Sequence, residues 1–305
     1  MTTRLLEGKV ALVTGGGRGV GRGIALAMAQ AGARVVVNDL GATLDGTLGT
    51  EQPAAEVVAQ IKALGGDAIV DGGSVADWSA AHQMVRTAVE TFGRIDIVVN
   101  NAGILRDAMF HRMSELEFDE VLAVHLKGSF NVSRAAAPFF KEQGSGAMVH
   151  MTSTSALIGN LGQANYSAAK LGVMALSKSI ALDMRKFGVR SNAVAPFAWT
   201  RMIDSIPAET PEQMKRVEGL RKLDPDKVAP FVVALCADEA RDVSGQVFGV
   251  RNNEIYLFSQ PRPIRSAHRS EGWTPQSVLD TALPMLSADF FPLDRSGDVF
   301  TWDPV

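Results

Sequence analysis

Apolar positions along the chain follow two periods that take turns. Short, nearly continuous apolar runs rich in β-branched residues recur at 9–13, 33–38, 67–70, 95–99, 147–152, 190–194 and 246–250. That is the pattern of strands covered on both faces. Between them lie longer stretches with a helical period: one through Gly23, Ile24 and Met28, one over 53–64, one over 77–92 opening on Asp77, and one over 164–185 with Gly188 as its stop. Within the last, Leu171, Ala175 and Leu182 form the expected apolar stripe. Ser114, Glu115, Leu116 and Glu117 have the form of a capping box at the start of a further helix. Strand and helix alternate with no break in composition, which predicts repeated βα crossovers and hence an α/β fold, a single doubly wound parallel sheet of seven strands with helices on both faces. The segment 40–52, rich in Gly and Thr, is longer than an ordinary connection and reads as a flap or a partner contact.

Composition narrows the classes. With 305 residues, 46% of them hydrophobic, the chain can build one substantial core, and its formal charge of −3 leaves no nucleic-acid footprint. A single cysteine, Cys236, suits a reducing compartment. No apolar run is long enough to span a bilayer, the first nine residues lack an export signal, and the ending Trp302-Asp303-Pro304-Val305 is not a peroxisomal address. A soluble cytoplasmic protein is expected.

The chemistry-bearing residues cluster after predicted strands, where ligands of open α/β sheets bind. The first run opens into Thr14-Gly15-Gly16-Gly17-Arg18-Gly19-Val20-Gly21, then a helix. Such glycines permit a tight turn and bring a pyrophosphate onto the free N–H groups of the helix N-terminus. Asp39 ends the second run about 20 residues further on, where a carboxylate accepts hydrogen bonds from an adenine ribose and repels a 2′-phosphate. This favours NAD over NADP; Arg18 pulls the other way if its cation pairs with such a phosphate, and is otherwise a solvated loop residue. Tyr166 and Lys170 lie four apart on one helix, and Ser153 ends the fifth run. A phenol, an ammonium that favours its ionised form and a hydroxyl that holds a carbonyl oxygen make up a general acid/base set. A Tyr and a Lys at that spacing alone are more often a packed aromatic and a solvated charge.

Taken together, the glycine turn, Asn100-Asn101-Ala102-Gly103, Ser153 and Tyr166-x-x-x-Lys170, in this order and spacing, resemble the short-chain dehydrogenase/reductase superfamily from about residue 6 to 250. The resemblance implies a Rossmann-type domain over 1–250 and a C-terminal extension over 251–305 that packs on the core or on a partner subunit. It implies that Gly15, Arg18, Gly19, Val20, Gly21 and Asp39 bind the cofactor, that Ser74 and Val75 touch its adenine, and that Asn101, Ala102 and Gly103 flank the adenine ribose. It places Pro196 and Thr200 by the nicotinamide, Lys170 on the nicotinamide ribose, Tyr166 as proton donor and acceptor, and Ser153 on the substrate oxygen. No metal is implied. Residues 35–41, 101–107, 159–166 and 228–230 are most similar to the (3R)-hydroxyacyl-CoA dehydrogenase domain of peroxisomal multifunctional enzyme type 2 and its bacterial relatives. That likeness implies NAD(H)-linked interconversion of a 3-hydroxyacyl-CoA and a 3-oxoacyl-CoA by a homodimer or homotetramer. The alternatives are a 3-oxoacyl thioester or steroid ketone reductase of the same fold and, in another class, a non-catalytic nucleotide-binding scaffold.

Departures from the superfamily pattern add expectations. His125 stands where most members have an Asn that binds a water of the proton relay; it either continues the relay or fills a helix kink. Phe197 and Trp199 replace the usual Gly after the sixth strand and either shape the acyl pocket or pack in the core or a dimer contact. The extension reads as a short strand at 255–258 and a helix at 278–286, and Arg251, Arg262, Arg265, His268 and Arg269 either meet CoA phosphates or form a solvated basic segment.

Overall fold

The computed structural model describes residues 4–41, 52–198 and 221–304, together with 210, 214, 217 and 218. Strands β1 (Val10–Thr14), β2 (Arg34–Asn38), β3 (Ala68–Asp71), β4 (Ile97–Asn100), β5 (Gly146–Met151), β6 (Val189–Phe197), β7 (Val247–Arg251) and β8 (Glu254–Leu257) form one sheet in the order β3-β2-β1-β4-β5-β6-β7-β8. The first seven pair in parallel. The order reverses between β1 and β4, which opens a cleft at the carboxyl ends of those strands. Every residue of β1 and β4 is buried, because helices cover both faces.

One face carries α1 (Gly19–Gln30), α2 (Pro53–Ala63) and α8 (Ala229–Cys236); Ile24, Met28, Val57, Ile61 and Val232 pack there on β1, β2 and β5. The other carries α3 (Trp78–Phe92), α5 (Gly128–Gln143) and α7 (Ala164–Met184), with Met84, Val85, Val132, Ala136 and Phe140 against Leu12, Val36 and Val98. Helix α4 (Glu115–Leu122) begins with the expected capping box, and Asp77 caps α3 through the Ala80 N–H. The one-turn helix α6 (Thr154–Leu157) follows β5.

Two expectations are corrected. The sheet has eight strands, not seven, and is not wholly parallel, because β8 returns antiparallel on β7 through a two-residue turn whose Asn252 takes φ of 53°. Strand β7 spans residue 250, and β8 adds to the same sheet beyond it. The apolar stripe of α7 is also on another face: Leu171 and Leu182 are 45% and 69% exposed, whereas Asn165, Ala169, Val173, Ser177 and Ala181, each four residues from the next, face the protein. Small residues let the helix approach the sheet closely, and Ser177 meets a polar layer there, bonding Ser191, which in turn bonds His150. In the extension, the helix expected at 278–286 is present within a helical run over 275–287 that contains a π turn (Val278–Ala282).

Candidate active site

The turn between β1 and α1 is a cradle with no room for side chains. Gly15 has φ of 61°, and a Cβ on Gly21 would lie 2.1 Å from the Gly15 carbonyl oxygen, so the helix can begin against the turn only with glycine there. Arg18 occupies the N-cap position, Gly19 opens α1, Val20 is buried, and no acidic residue in the first turn offsets the positive end of the helix. Thr14 fastens the cradle to the next strand: its Oγ1 donates to Val99 O and accepts from Asn101 N and Ala102 N, while Asn101 Nδ2 donates to the carbonyls of Thr14 and Gly15 at 3.0 Å. Asp39 follows β2, and its carboxylate accepts from Gly17 N at 3.0 Å and Gly41 N at 2.9 Å. Ser74 and Val75 follow β3, and the buried Asn131 of α5 holds them by donating to Val75 O at 2.9 Å. Pro196 lies in β6 opposite Val250. Thr200 and Trp199 lie outside the described residues, as do 42–51 of the segment expected to be a flap. A glycine cradle at an uncompensated helix N-terminus, with a carboxylate beside it, fits a dinucleotide.

Across the cleft, Ser153 caps α6, Tyr166 stands in the first turn of α7, and Lys170 follows one turn later. Ser153, whose Oγ accepts from Ser155 N at 3.2 Å, acts on the Tyr166 hydroxyl as a neighbouring group that favours its ionised form. Lys170 is buried, donates from Nζ to Met151 O at 2.7 Å and lies 5.7 Å from the Tyr166 ring centroid. The two segments are stitched by Ser167 Oγ to Ser155 O at 2.9 Å and Thr152 Oγ1 to Lys170 O at 2.8 Å. Burial dominates the electrostatics of the pair. Burial pushes Tyr166 up to about 12, against the lowering effect of Ser153, and Asp107 adds to the rise. Burial also pulls Lys170 down to about 7.

His125 lies in a π turn (Ala123–Lys127) that joins α4 to α5. It is both a residue of a helix irregularity and a neighbour of the phenol, since its ring meets Tyr166 edge-on with centroids 5.2 Å apart. Its Nε2 is 2.8 Å from Ile104 O and 3.1 Å from Ile104 N, and its buried Nδ1 has no hydrogen-bond partner. Burial, then the Lys170 charge, holds it well below the usual imidazole range, hence neutral. Gly103 is pressed against this ring, where a Cβ would come within 2.3 Å of Cε1.

The extension reaches the same cleft. Ser296 N donates to Gly159 O at 2.9 Å, and Phe300 packs on Phe197 with centroids 4.7 Å apart, beside Tyr256 and Trp302. Phe197 therefore has core-like aromatic neighbours. The expected basic cluster is largely engaged: Arg251 is buried against Glu254 at 3.1 Å, Arg265 pairs with Asp289 and Arg269 with Glu271.

Sequence reasoning missed Asn131, Asn165 and Asp107. Asn165, fully buried, donates to Arg106 O and Glu117 O and accepts from Tyr166 N at 2.7 Å, fixing the start of α7. An uncharged amide one residue before a reactive phenol was the available signal. Among the described residues, no group of three or more His, Cys, Asp or Glu gathers to hold a metal, and no helix is long and apolar enough to cross a membrane.

Known proteins resemble the chain over most of its length. The family model described as short chain dehydrogenase matches residues 9–209. A short-chain type dehydrogenase/reductase of Mycobacterium tuberculosis is 48% identical over 78% of this chain and 80% of its own length. Mouse peroxisomal multifunctional enzyme type 2 is 42% identical over 90% of this chain, which spans only 36% of that larger protein. The crystal structure of a short chain dehydrogenase from Mycobacterium avium superposes with a TM-score of 0.83 at 40% identity, covering 96% of this chain and 99% of that one.

Proposed function

Because the chain belongs to the short-chain dehydrogenase family, and is thus an oxidoreductase that acts on a small molecule with a nicotinamide cofactor, we propose that it interconverts a 3-hydroxyacyl-CoA and a 3-oxoacyl-CoA. The observation that carries the chemistry is the buried Lys170 ammonium 5.7 Å from the Tyr166 ring centroid, beside the Ser153 that caps α6, at the same strand ends as the glycine cradle. The likeness to a peroxisomal multifunctional enzyme supports the thioester. When bound, the nicotinamide supplies the hydride acceptor or donor. Tyr166 Oη takes the hydroxyl proton in oxidation and returns it in reduction, Ser153 Oγ holds the substrate oxygen, and the Lys170 ammonium favours the phenolate. His125, with Nδ1 buried and unpartnered beside the phenol, holds a water at the next step of proton transfer.

The cofactor contacts are those of Gly15, Arg18, Gly19, Val20, Gly21, Asp39, Ser74, Val75, Asn101, Ala102, Gly103, Tyr166, Lys170, Pro196 and Thr200. Asp39 selects NAD, since a 2′-phosphate would approach a carboxylate already fixed by two backbone N–H groups. Asp39→Ala should raise the preference for NADP relative to NAD by about tenfold, the equivalent of 1.4 kcal/mol, in the ratio of the two kcat/KM values. An unchanged ratio would place the selection elsewhere.

The proposed organisation is a dinucleotide-binding domain over 1–250 with 251–305 as an extension on the core or a partner, in a cytoplasmic homodimer or homotetramer. An apolar groove lined by Leu122, Leu126, Phe130 and Leu176 supports the assembly, and the lone buried Cys236 suits a reducing compartment. Steady-state rates over a panel of 3-hydroxyacyl-CoA esters, the matching acyl-carrier-protein thioesters and free ketosteroids, each with NAD and NADP, test the substrate. Preference for the CoA esters is expected; a preference for either other class overturns it.

A further inference from the structure

The catalytic phenol has a cation on its own helix, and the loop after β4 brings an anion towards it. That loop is zipped to the segment before α7: Ala108 N donates to Gly162 O at 2.9 Å, and Ala108 forms an isolated β-bridge with Gln163. The zip places Asp107 against Gln163, whose Nε2 donates to Asp107 Oδ2 at 2.9 Å, three residues ahead of Tyr166. Gln163 is itself held by Asn160, whose Nδ2 donates to its Oε1 at 3.0 Å. Asp107 is thus fixed by a chain of side-chain amides and, among the described residues, pairs with no cation. Its neighbour Arg106 turns away to Glu120 at 2.8 Å, and Glu117 is occupied by Ser114 in the capping box.

We propose that Asp107 is a positioning residue of the reaction, a carboxylate fixed on the segment that leads into Tyr166, where it counters the Lys170 charge at the phenol. The groups around the phenol are Lys170 on α7, Ser153 at the start of α6, His125 in the π turn and Asp107 in the loop after β4. His125 is neutral, so the charge balance at the ring is set by Lys170 and Asp107. Partial desolvation raises the Asp107 carboxyl above its ordinary range, while the Gln163 hydrogen bond favours the ionised form. The ionised carboxylate disfavours a second negative charge on Tyr166. The consequence is a division of the pH range: reduction, which needs the phenol, reaches to higher pH, and oxidation, which needs the phenolate, begins later than Lys170 alone would allow.

The inference rests on Tyr166 acting as proposed, and the test separates the two. With whichever substrate of the panel is turned over, Asp107→Asn should move the acid limb of oxidation and the alkaline limb of reduction downward together by about half a pH unit, roughly threefold in rate on the acid limb. Asp107→Glu should restore the wild-type limbs. A readout independent of turnover follows from the sequence, which has two tyrosines, Tyr166 and Tyr256. In a Tyr256→Phe background, ultraviolet titration of phenolate, with and without NAD, reports Tyr166 alone, and Asp107→Asn should lower its midpoint. Limbs and midpoint unmoved by Asp107→Asn, or moved equally by Asp107→Glu, would overturn the inference. A lowered midpoint in a protein that turns over nothing in the panel would sustain the electrostatic link and reject the proposed function.

Discussion

Tyr166→Phe should lower turnover by about 10²–10⁴-fold, the range for loss of a positioned general acid/base, with little change in thermal stability. The ring stays, and with it the edge contact to His125. What is lost is one hydroxyl that burial keeps protonated, while Ser153 keeps its bond from Ser155 N. Because the hydrogen bonds that hold the glycine cradle and Asp39 do not involve the phenol, the dissociation constant for NAD, measured by fluorescence quenching, should change little. Turnover that survives the substitution would assign the proton to another group, and would leave the cradle as that of a protein that binds dinucleotide without using it.

Lys170→Met should separate stability from activity, because the buried ammonium is a cost to the fold and a requirement of the chemistry. With no cation to favour the phenolate, turnover should fall by about 10²-fold or more. Stability should move the other way. The folded-state pKa of about 7 lies below the ordinary lysine value of 10.5. Between those values the unfolded chain binds the proton more readily, so the penalty is fully present below about 7 and fades as pH rises towards 10.5. Methionine removes the charge but leaves the Met151 carbonyl without its partner, so the net gain is on the order of 2 kcal/mol. Urea unfolding at about pH 6 and about pH 9 checks this: the variant should be the more stable at the lower pH, with the gap closing at the higher. A variant less stable than wild type at both would mean that the hydrogen bond outweighs the desolvation.

The alternation of strands and helices was legible because parallel strands covered on both faces are continuously apolar, as in β1 and β4, while helices such as α3 carry their own stop and start residues. The cleft was legible for a related reason: chemistry in such sheets collects at strand ends, and the glycine turn, Ser153 and Tyr166-x-x-x-Lys170 are local in sequence. Three things were not. The buried face of α7 was misassigned because an Ala-rich helix is apolar on several sides, and the side nearest the sheet is set by the small residues Ala169, Val173 and Ala181, not by its leucines. The eighth strand was visible as a β-rich run, but its antiparallel pairing depends on Asn252 reaching a left-handed conformation. The charge balance at Tyr166 was read from Lys170 alone, since Asp107 is distant in sequence and is brought near by the Ala108–Gln163 bridge.

The π turn at Ala123–Lys127 sets the phase of everything beyond it. A wider loop of backbone takes up one more residue than an ordinary turn, which rotates the following side chains by about 100° relative to an unbroken helix. That rotation allows one continuous rod to aim an imidazole at the phenol and, six residues later, an amide at the loop after β3. Deleting a single residue from the turn would bring the rod back into ordinary step and force the protein to choose between the two ends of its cleft.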